Sequence, residues 1–362
     1  MLLPRHEIRG NTNLRAITKP ELKAPFVSIV ILNYNGLRFV KKCLESALKT
    51  DYDNFEVIFI DNASTDGSFE YVQKEFSHDH RLKIIRNQKN MGFAEGNNIG
   101  AETANGNYIA FLNIDTIVAS SWLRELVNVM EADPKAGVCQ SKLLSLKRPK
   151  FFDSAGDFID RYGAMMRRGG DFMEKDVGQY DKMEEIFSAR GAAMITRRKI
   201  IKEVGLFDPT YFATYEDIDF CWRTRLRGYK VLFVPNSVAY HVGGVSSPTS
   251  FKTFFTTRNW IMTLTKNYEL HNLVRFLPFV IAISASVVAA ELILRRRPKL
   301  ALDRFKGVLW NALNFRYVWE KRLWIQRCIR KVPDSEIMKH MLKTNLAISH
   351  WLPLWQKMGV SD

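Results

Sequence analysis

Between residues 26 and 131, short apolar runs alternate with stretches whose apolar residues recur every three or four positions. Residues 26–32 are almost wholly apolar and end in Asn33-Tyr34-Asn35-Gly36. Such a run suits a parallel strand buried on both faces. Leu37, Val40, Leu44, Ala47 and Leu48 then fall on one face of a helix. The pattern repeats, with strands predicted over 55–60, 82–85 and 108–112 and helices over 68–76, 95–103 and 122–131.

Strand alternating with helix over about a hundred residues predicts an α/β sheet with right-handed crossovers. Asn33 and Asn35, Asp61 and Asn62, and Asn113 and Asp115 sit just after three of the strands. In an open α/β sheet those carboxyl ends form the ligand crevice. Further on the pattern loosens. Residues 151–181 are rich in Gly, Asp and Arg, the composition of a flexible loop over a site. A strand over 192–195 leads to a helix and to the turn Gly205-Leu206-Phe207-Asp208-Pro209.

Glu216, Asp217 and Asp219 place three carboxylates within four positions, and an apolar strand-like run, 231–234, leads from them to His241. Crowded carboxylates repel one another and lose hydration when buried, so something must compensate them. A divalent metal with phosphate does so, as does a proton taken from a substrate. On a helix, Glu216 and Asp219 share a face and Asp217 points elsewhere. The structural alternative is an acidic first helical turn, which suits the helix dipole.

The chain has 362 residues, 46% hydrophobic and 25% charged, which is enough for a catalytic domain and a smaller appendage. Cys43, Cys139, Cys221 and Cys328 are scattered and read as buried thiols. Residues 1–25 are polar, basic and broken by Pro4, Pro20 and Pro25, and are expected to form a loose arm without a signal peptide.

The net charge is +15, and from Arg295 onward fifteen Lys or Arg face five Asp or Glu. The basicity therefore lies mostly in the tail. No nucleic-acid motif accompanies it, so nucleic acid is not an expected partner. Residues 273–294 are the most hydrophobic stretch, interrupted by Pro278 and closed by Arg295-Arg296-Arg297. The uncharged part is shorter than the ~20 residues of a bilayer crossing. With Trp310, Phe315, Trp319, Trp324 and Trp351 among the Lys and Arg that follow, it is expected to lie in or dip into the cytoplasmic leaflet. The alternative is a buried helical hairpin packed on the catalytic domain.

Eight pieces in order, from Val27 to Asn259, resemble the family 2 glycosyltransferases of the GT-A fold, especially the rhamnosyltransferase branch of cell-surface polysaccharide synthesis. They include 27–35, Asp61-Asn62-Ala63-Ser64-Thr65-Asp66-Gly67, 90–100, Leu112-Asn113-Ile114-Asp115-Thr116, Gly191-Ala192-Ala193-Met194, Gly205-Leu206-Phe207-Asp208, Glu216-Asp217, and His241 with Ser246. The resemblance implies a Rossmann-like mixed, mainly parallel sheet flanked by helices. The expected organisation is an arm over 1–25, a catalytic domain over 26–265 and a helical membrane-associating region over 266–362.

By resemblance, Asp115 binds a divalent cation, Mg²⁺ or Mn²⁺, as the last aspartate of the family's Asp-x-Asp element, and His241 is the second protein ligand. Asn113 stands where that element commonly has an aspartate, which lowers the local negative charge. Asp61 resembles the aspartate that hydrogen-bonds the pyrimidine base, with Asn33 lining the same site. Asn90, Gly92 and Asn97 belong to a segment expected to pack on the nucleotide. Asp217 is expected to be the general base, its pKa raised by Glu216 and Asp219 and partly offset by Arg223. Glu216 is the runner-up base, and Arg258 is either a diphosphate ligand or a solvated helix residue.

The expected reaction is inverting transfer from a dTDP- or UDP-sugar, with L-rhamnose favoured, to a lipid-linked or cell-surface glycan at the cytoplasmic face of the membrane. The rivals are a sugar nucleotidyltransferase and a non-catalytic membrane-bound scaffold. The first lacks its Gly-rich phosphate loop here, since Asn33-Tyr34-Asn35-Gly36 follows the first strand.

Overall fold

The computed structural model describes residues 24–243 and 249–343. Most of the arm, Gly244, Ser246 and Trp351 lie outside them. The first half alternates as the pattern predicts: β1 (Val27–Asn33), α1 (Leu37–Leu48), β2 (Phe55–Asp61), α2 (Ser68–Phe76), β3 (Leu82–Arg86), α3 (Gly92–Thr103) and β4 (Tyr108–Asn113). Next come β5 (Thr116–Val118), α4 (Trp122–Ala132), β6 (Ala136–Ser145), β7 (Phe152–Ser154), β8 (Asp157–Ile159), β9 (Met165–Arg167) and β10 (Glu184–Glu185). The site side is completed by β11 (Ala193–Arg197), α5 (Arg198–Val204), α6 (Glu216–Leu226) and β12 (Lys230–His241).

One mixed sheet runs β10-β12-β6-β11-β4-β1-β2-β3, with β5 on β12 and β7 on β6. Strands β3, β2, β1 and β4 are mutually parallel, β12 is parallel to β6, and β11 runs antiparallel between β4 and β6. Asn33 is in register with Asp61, and Leu32 with Asn113, so the polar strand ends form one row at the carboxyl edge. Apolar cores cover both faces. One joins β1 and β2 to Val40, Leu44, Trp122 and Leu126; the other joins the sheet to α3, α6 and the C-terminal helices.

Two stretches depart from expectation. Residues 151–181 are not a bare loop: β7 pairs with β6, and β8 and β9 form a two-stranded sheet that buries Asp153 and Asp157. The second is β6, which escaped the periodicity because Gln140, Ser141 and Lys142 interrupt its apolar run. These three are buried with partners: Gln140 accepts from Arg190 N, Ser141 meets Ser237, and Lys142 pairs with Asp176 and Asp181. Strand β12 likewise runs far beyond 231–234, and Pro235 falls at a register shift where no ladder donor is needed.

The C-terminal part is helical: α7 (Thr249–Asn267), α8 (Leu270–Ile293), α9 (Pro298–Leu313), α10 (Phe315–Trp324) and α11 (Asp334–Ile337). Pro278 lies inside α8 without ending it, so the apolar segment is a continuous 24-residue helix, longer than the uncharged run alone implied. Phe276, Val280, Val318 and Ile325 share a core with Phe220 and Trp222 of α6. Cys43, Cys139 and Cys221 are buried, whereas Cys328 is exposed.

Candidate active site

An open cavity of about 490 Å³ lies at the carboxyl edge of β1, β2 and β4. Tyr34, Asn35, Asn62 and Asn90 form its polar wall, Phe93, Phe212 and Phe251 its apolar wall, and Asn113 and Asp115 its far end. Asn33 and Asp61 are fully buried beneath it rather than lining it. Asn33 Nδ2 donates to Asp61 Oδ1 at 2.9 Å, and Asp61 Oδ2 accepts from Ser64 N at 3.0 Å. Ser64 Oγ in turn accepts from Asn35 N at 2.9 Å. This pair therefore braces the Asn35 turn from below. Asn62 does the same for the next loop, donating to Asn90 Oδ1 at 2.9 Å and accepting from Met91 N at 3.0 Å.

Gly92 has φ of +79°, and a Cβ there would lie 2.6 Å from the Phe212 carbonyl oxygen, which accepts from Phe93 N. The residue must be glycine for that backbone-to-backbone approach. Asn97 faces away from the cavity, buried in α3 with its amide on Phe93 O at 2.9 Å.

Pairing of β5 with β12 sets His241 opposite Thr116 and so beside Asp115. His241 Nε2 lies 3.2 Å from Asp115 Oδ1, and Nδ1 lies 2.9 Å from Asp153 Oδ2. Asn113 Nδ2 approaches Nε2 at 3.4 Å. Burial by itself would lower the imidazole pKa, but the hydrogen bonds to Asp115 and Asp153 outweigh it and raise it to about 9. Asp153 was missed in the sequence because it falls in the irregular 151–181 stretch.

The acidic cluster opens α6. Phe212, Thr214 and Tyr215, all non-glycine, have φ of 59°, 69° and 67°, a strained turn that launches the helix. Asn259 holds it, its Nδ2 within 3.0 Å of the Tyr211, Ala213 and Thr214 carbonyl oxygens. Arg258 is neither solvated nor at the cavity. It donates to the carbonyls of Thr210 and Tyr211 and lies over Phe254, Phe255 and Trp310.

Glu216 is buried, and its Oε2 has no hydrogen-bond partner. Burial, then Asp217, pushes its pKa well above the usual carboxylate range. Half-buried Asp217 accepts from Ile218 N at 2.8 Å and Gly191 N at 3.4 Å. Burial, then Asp157, raises its pKa to about 6.

The charges that tune this cluster differ from those expected. Asp219 is withdrawn into a separate buried network, 2.9 Å from Arg223 Nε and 3.2 Å from Lys266 Nζ. Arg223 is spent there and on the carbonyls of Val204, Gly205 and Leu206. The cation that faces Asp217 is Arg190, 3.0 Å from Asp157 and under the influence of Asp153 and Asp217. Nothing in the local sequence marks Arg190, because the carboxylates it meets, Asp153, Asp157 and Asp217, come from other parts of the chain.

Residues 28–205 match the profile described as Glycosyl transferase family 2. That region of the chain is similar to members of glycosyl transferase family 2. An "Uncharacterized glycosyltransferase" of Haemophilus influenzae is 33% identical over 107 residues, covering 30% of this chain and 33% of that protein. "Glycosyltransferase GlyG" of Streptococcus pneumoniae serotype 4 is 26% identical over 218 residues, covering 59% of this chain and 69% of that one. The chain thus spans about a third of the first relative's length. Its fold is GT-A. A crystal structure of GalNAc-T7 with UDP, GalNAc and Mn²⁺ superposes with a TM-score of 0.56 at 18% identity, covering 82% of this chain and 57% of that one.

The site offers a cation one carboxylate oxygen and one imidazole nitrogen at the cavity end. That donor set suits Mg²⁺ or Mn²⁺ completed by phosphate oxygens and water, and Asp153 on the far ring nitrogen is the partner a metal-bound histidine ordinarily has. Among the described residues no cluster of three such ligands forms.

Proposed function

We propose that the protein is an inverting glycosyltransferase. It takes a sugar, with L-rhamnose favoured, from a dTDP- or UDP-sugar to a lipid-linked or cell-surface glycan at the cytoplasmic face of a membrane. The observation that carries this reading is the Asp115–His241 pair closing an asparagine-walled cavity in a GT-A fold. The pair would hold Mg²⁺ or Mn²⁺, which when bound neutralises charge on the leaving diphosphate.

Asn35, Asn62 and Asn90 supply the polar groups for the nucleotide, with Asn33 and Asp61 fixing the loop that carries Asn35. Asp217 takes the proton of the acceptor hydroxyl as its oxygen bonds to the anomeric carbon and the bond to diphosphate breaks. Its raised pKa is closer to neutral pH, as a general base requires. Glu216, held neutral by burial, does not serve as the base and instead orients the acceptor through its carboxyl hydrogen bonds.

The test uses purified protein, Mg²⁺ or Mn²⁺, a nucleotide-sugar panel and membrane lipid extract, with transfer followed by mass spectrometry. Transfer from one donor, lost in Asp217→Asn, supports the reading and identifies the sugar. No donor binding with metal present overturns it.

A further inference from the structure

The helix α8 is divided lengthwise. Leu273, Phe276, Val280, Val287 and Glu291 are buried against the protein, at helical spacing. On the opposite side Leu270, Val274, Ile281, Leu292 and Ile293 are 41% to 73% exposed. Only 28% of its most apolar window is buried, unlike a core helix. Its neighbour α9 repeats the arrangement, with Leu302, Phe305, Leu309 and Leu313 exposed at the same spacing. Among the described residues, two packed helices thus leave long apolar stripes uncovered, larger than single exposed residues explain.

Arg296, Arg297 and Lys299, exposed at the turn between them, and Lys306 on α9 add positive charge beside these stripes. We propose that the α8–α9 hairpin seats the protein on an anionic bilayer as a monotopic anchor, with α8 lying in the plane of the leaflet rather than crossing it. The location at a membrane rests on the function proposed above; the geometry rests on the structure alone.

Length alone would permit crossing, since 24 residues of helix reach about 36 Å. The contacts of α8 oppose it. At its start, Asn272 Nδ2 donates to Asp334 at 2.9 Å, and Glu269 N donates to the same carboxylate at 2.7 Å. Near its end, buried Glu291 pairs with Arg304 of α9 at 3.1 Å, and Arg304 in turn donates to Thr257 of α7 at 3.3 Å. Both ends are therefore tied to one folded body, which lies on one side of a membrane. Spanning would also pull Phe276 from Tyr162 and Tyr268 and carry Glu291 into hydrocarbon.

The hairpin is also joined to the site. Trp310 of α9 lies 4.9 Å from Arg258, Arg258 lies 4.6 Å from Phe255, and Phe255 stacks on Phe212 at 5.2 Å. Phe212 is a wall of the cavity. A leaflet against α9 would accordingly fix where the cavity opens relative to headgroups.

The experiment is flotation of the full chain with phosphatidylcholine vesicles, with and without phosphatidylglycerol. It needs no sugar donor, so its outcome is separable from that of the transfer assay. The expected result is flotation only with the anionic vesicles, weakened by salt. Ile281→Asp with Leu309→Asp abolishes it, while circular dichroism shows the fold intact. Each of Arg296→Ala, Arg297→Ala and Lys299→Ala weakens it about fivefold, the factor for about 1 kcal/mol per charge.

In a Cys328→Ser background, Leu270→Cys and Ile293→Cys are expected to react with an impermeant maleimide from the same side of sealed vesicles. Three results overturn the proposal: flotation unchanged by the aspartate variants, labelling of positions 270 and 293 from opposite sides, or a soluble dimer dissolved by Ile281→Asp with no vesicle binding.

Discussion

Nδ1 of His241 donates to Oδ2 of Asp153 at 2.9 Å, which commits Nε2 to the cavity side, where Asp115 waits. A carboxylate on the far ring nitrogen fixes the ring and makes the near nitrogen more basic. The same contact couples a strand named by the sequence, β12, to one that was not, β7. Asp153→Asn should weaken Mn²⁺ binding by roughly 10- to 100-fold without unfolding the protein. Calorimetric titration with Mn²⁺ and nucleotide checks this.

The same pair predicts a pH dependence. The folded pKa of His241, about 9, lies above its ordinary value of 6.5. In metal-free protein the pair's stabilisation is full below about pH 6.5 and is lost as pH rises through about 9. Metal must displace that proton, so Mn²⁺ affinity should rise with pH up to about 9. Titration in buffers of different ionisation enthalpy should show proton release at pH 7; none would contradict the assignment.

Asp217→Asn should lower transfer by about 10²- to 10⁴-fold with donor affinity unchanged. In the unmodified protein, the rate should fall as pH drops below about 6, where Asp217 gains its proton. Single-turnover rates from pH 5 to 8, on the order of the range that brackets this group, measure the limb.

Arg190→Gln removes the cation facing Asp217, Asp153 and Asp157. The acidic limb should then move toward higher pH, and activity should partly return in more alkaline buffer. A uniform loss at every pH would instead mark a structural role.

Asp219→Asn breaks a fully buried pairing with Arg223 and Lys266. Stability should drop by about 3–5 kcal/mol, the usual consequence of leaving a buried charge unpaired. Urea unfolding reads this directly. Nucleotide binding by the remaining folded protein should be unaffected, since Asp219 does not line the cavity.

The strands and helices from Val27 to Ala132 were legible because each side-chain period reports one element's own buried face, a local property. The row of polar residues at the carboxyl edge followed from strand ends alone. What the sequence by itself determined was therefore the α/β alternation, the polar crevice and the residue types Asp115, Glu216, Asp217 and His241.

Tertiary structure decided their employment. Asp219 looks equivalent to Asp217 along the chain, yet it turns into the core to meet Lys266, 47 residues away, while Asp217 meets the charge of Arg190. Arg258 looks free and is locked onto the turn that launches α6. Hydrophobic period is written into neighbouring residues, but the partner of a charge is set by which distant strand or helix the fold brings to it, and no local pattern encodes that.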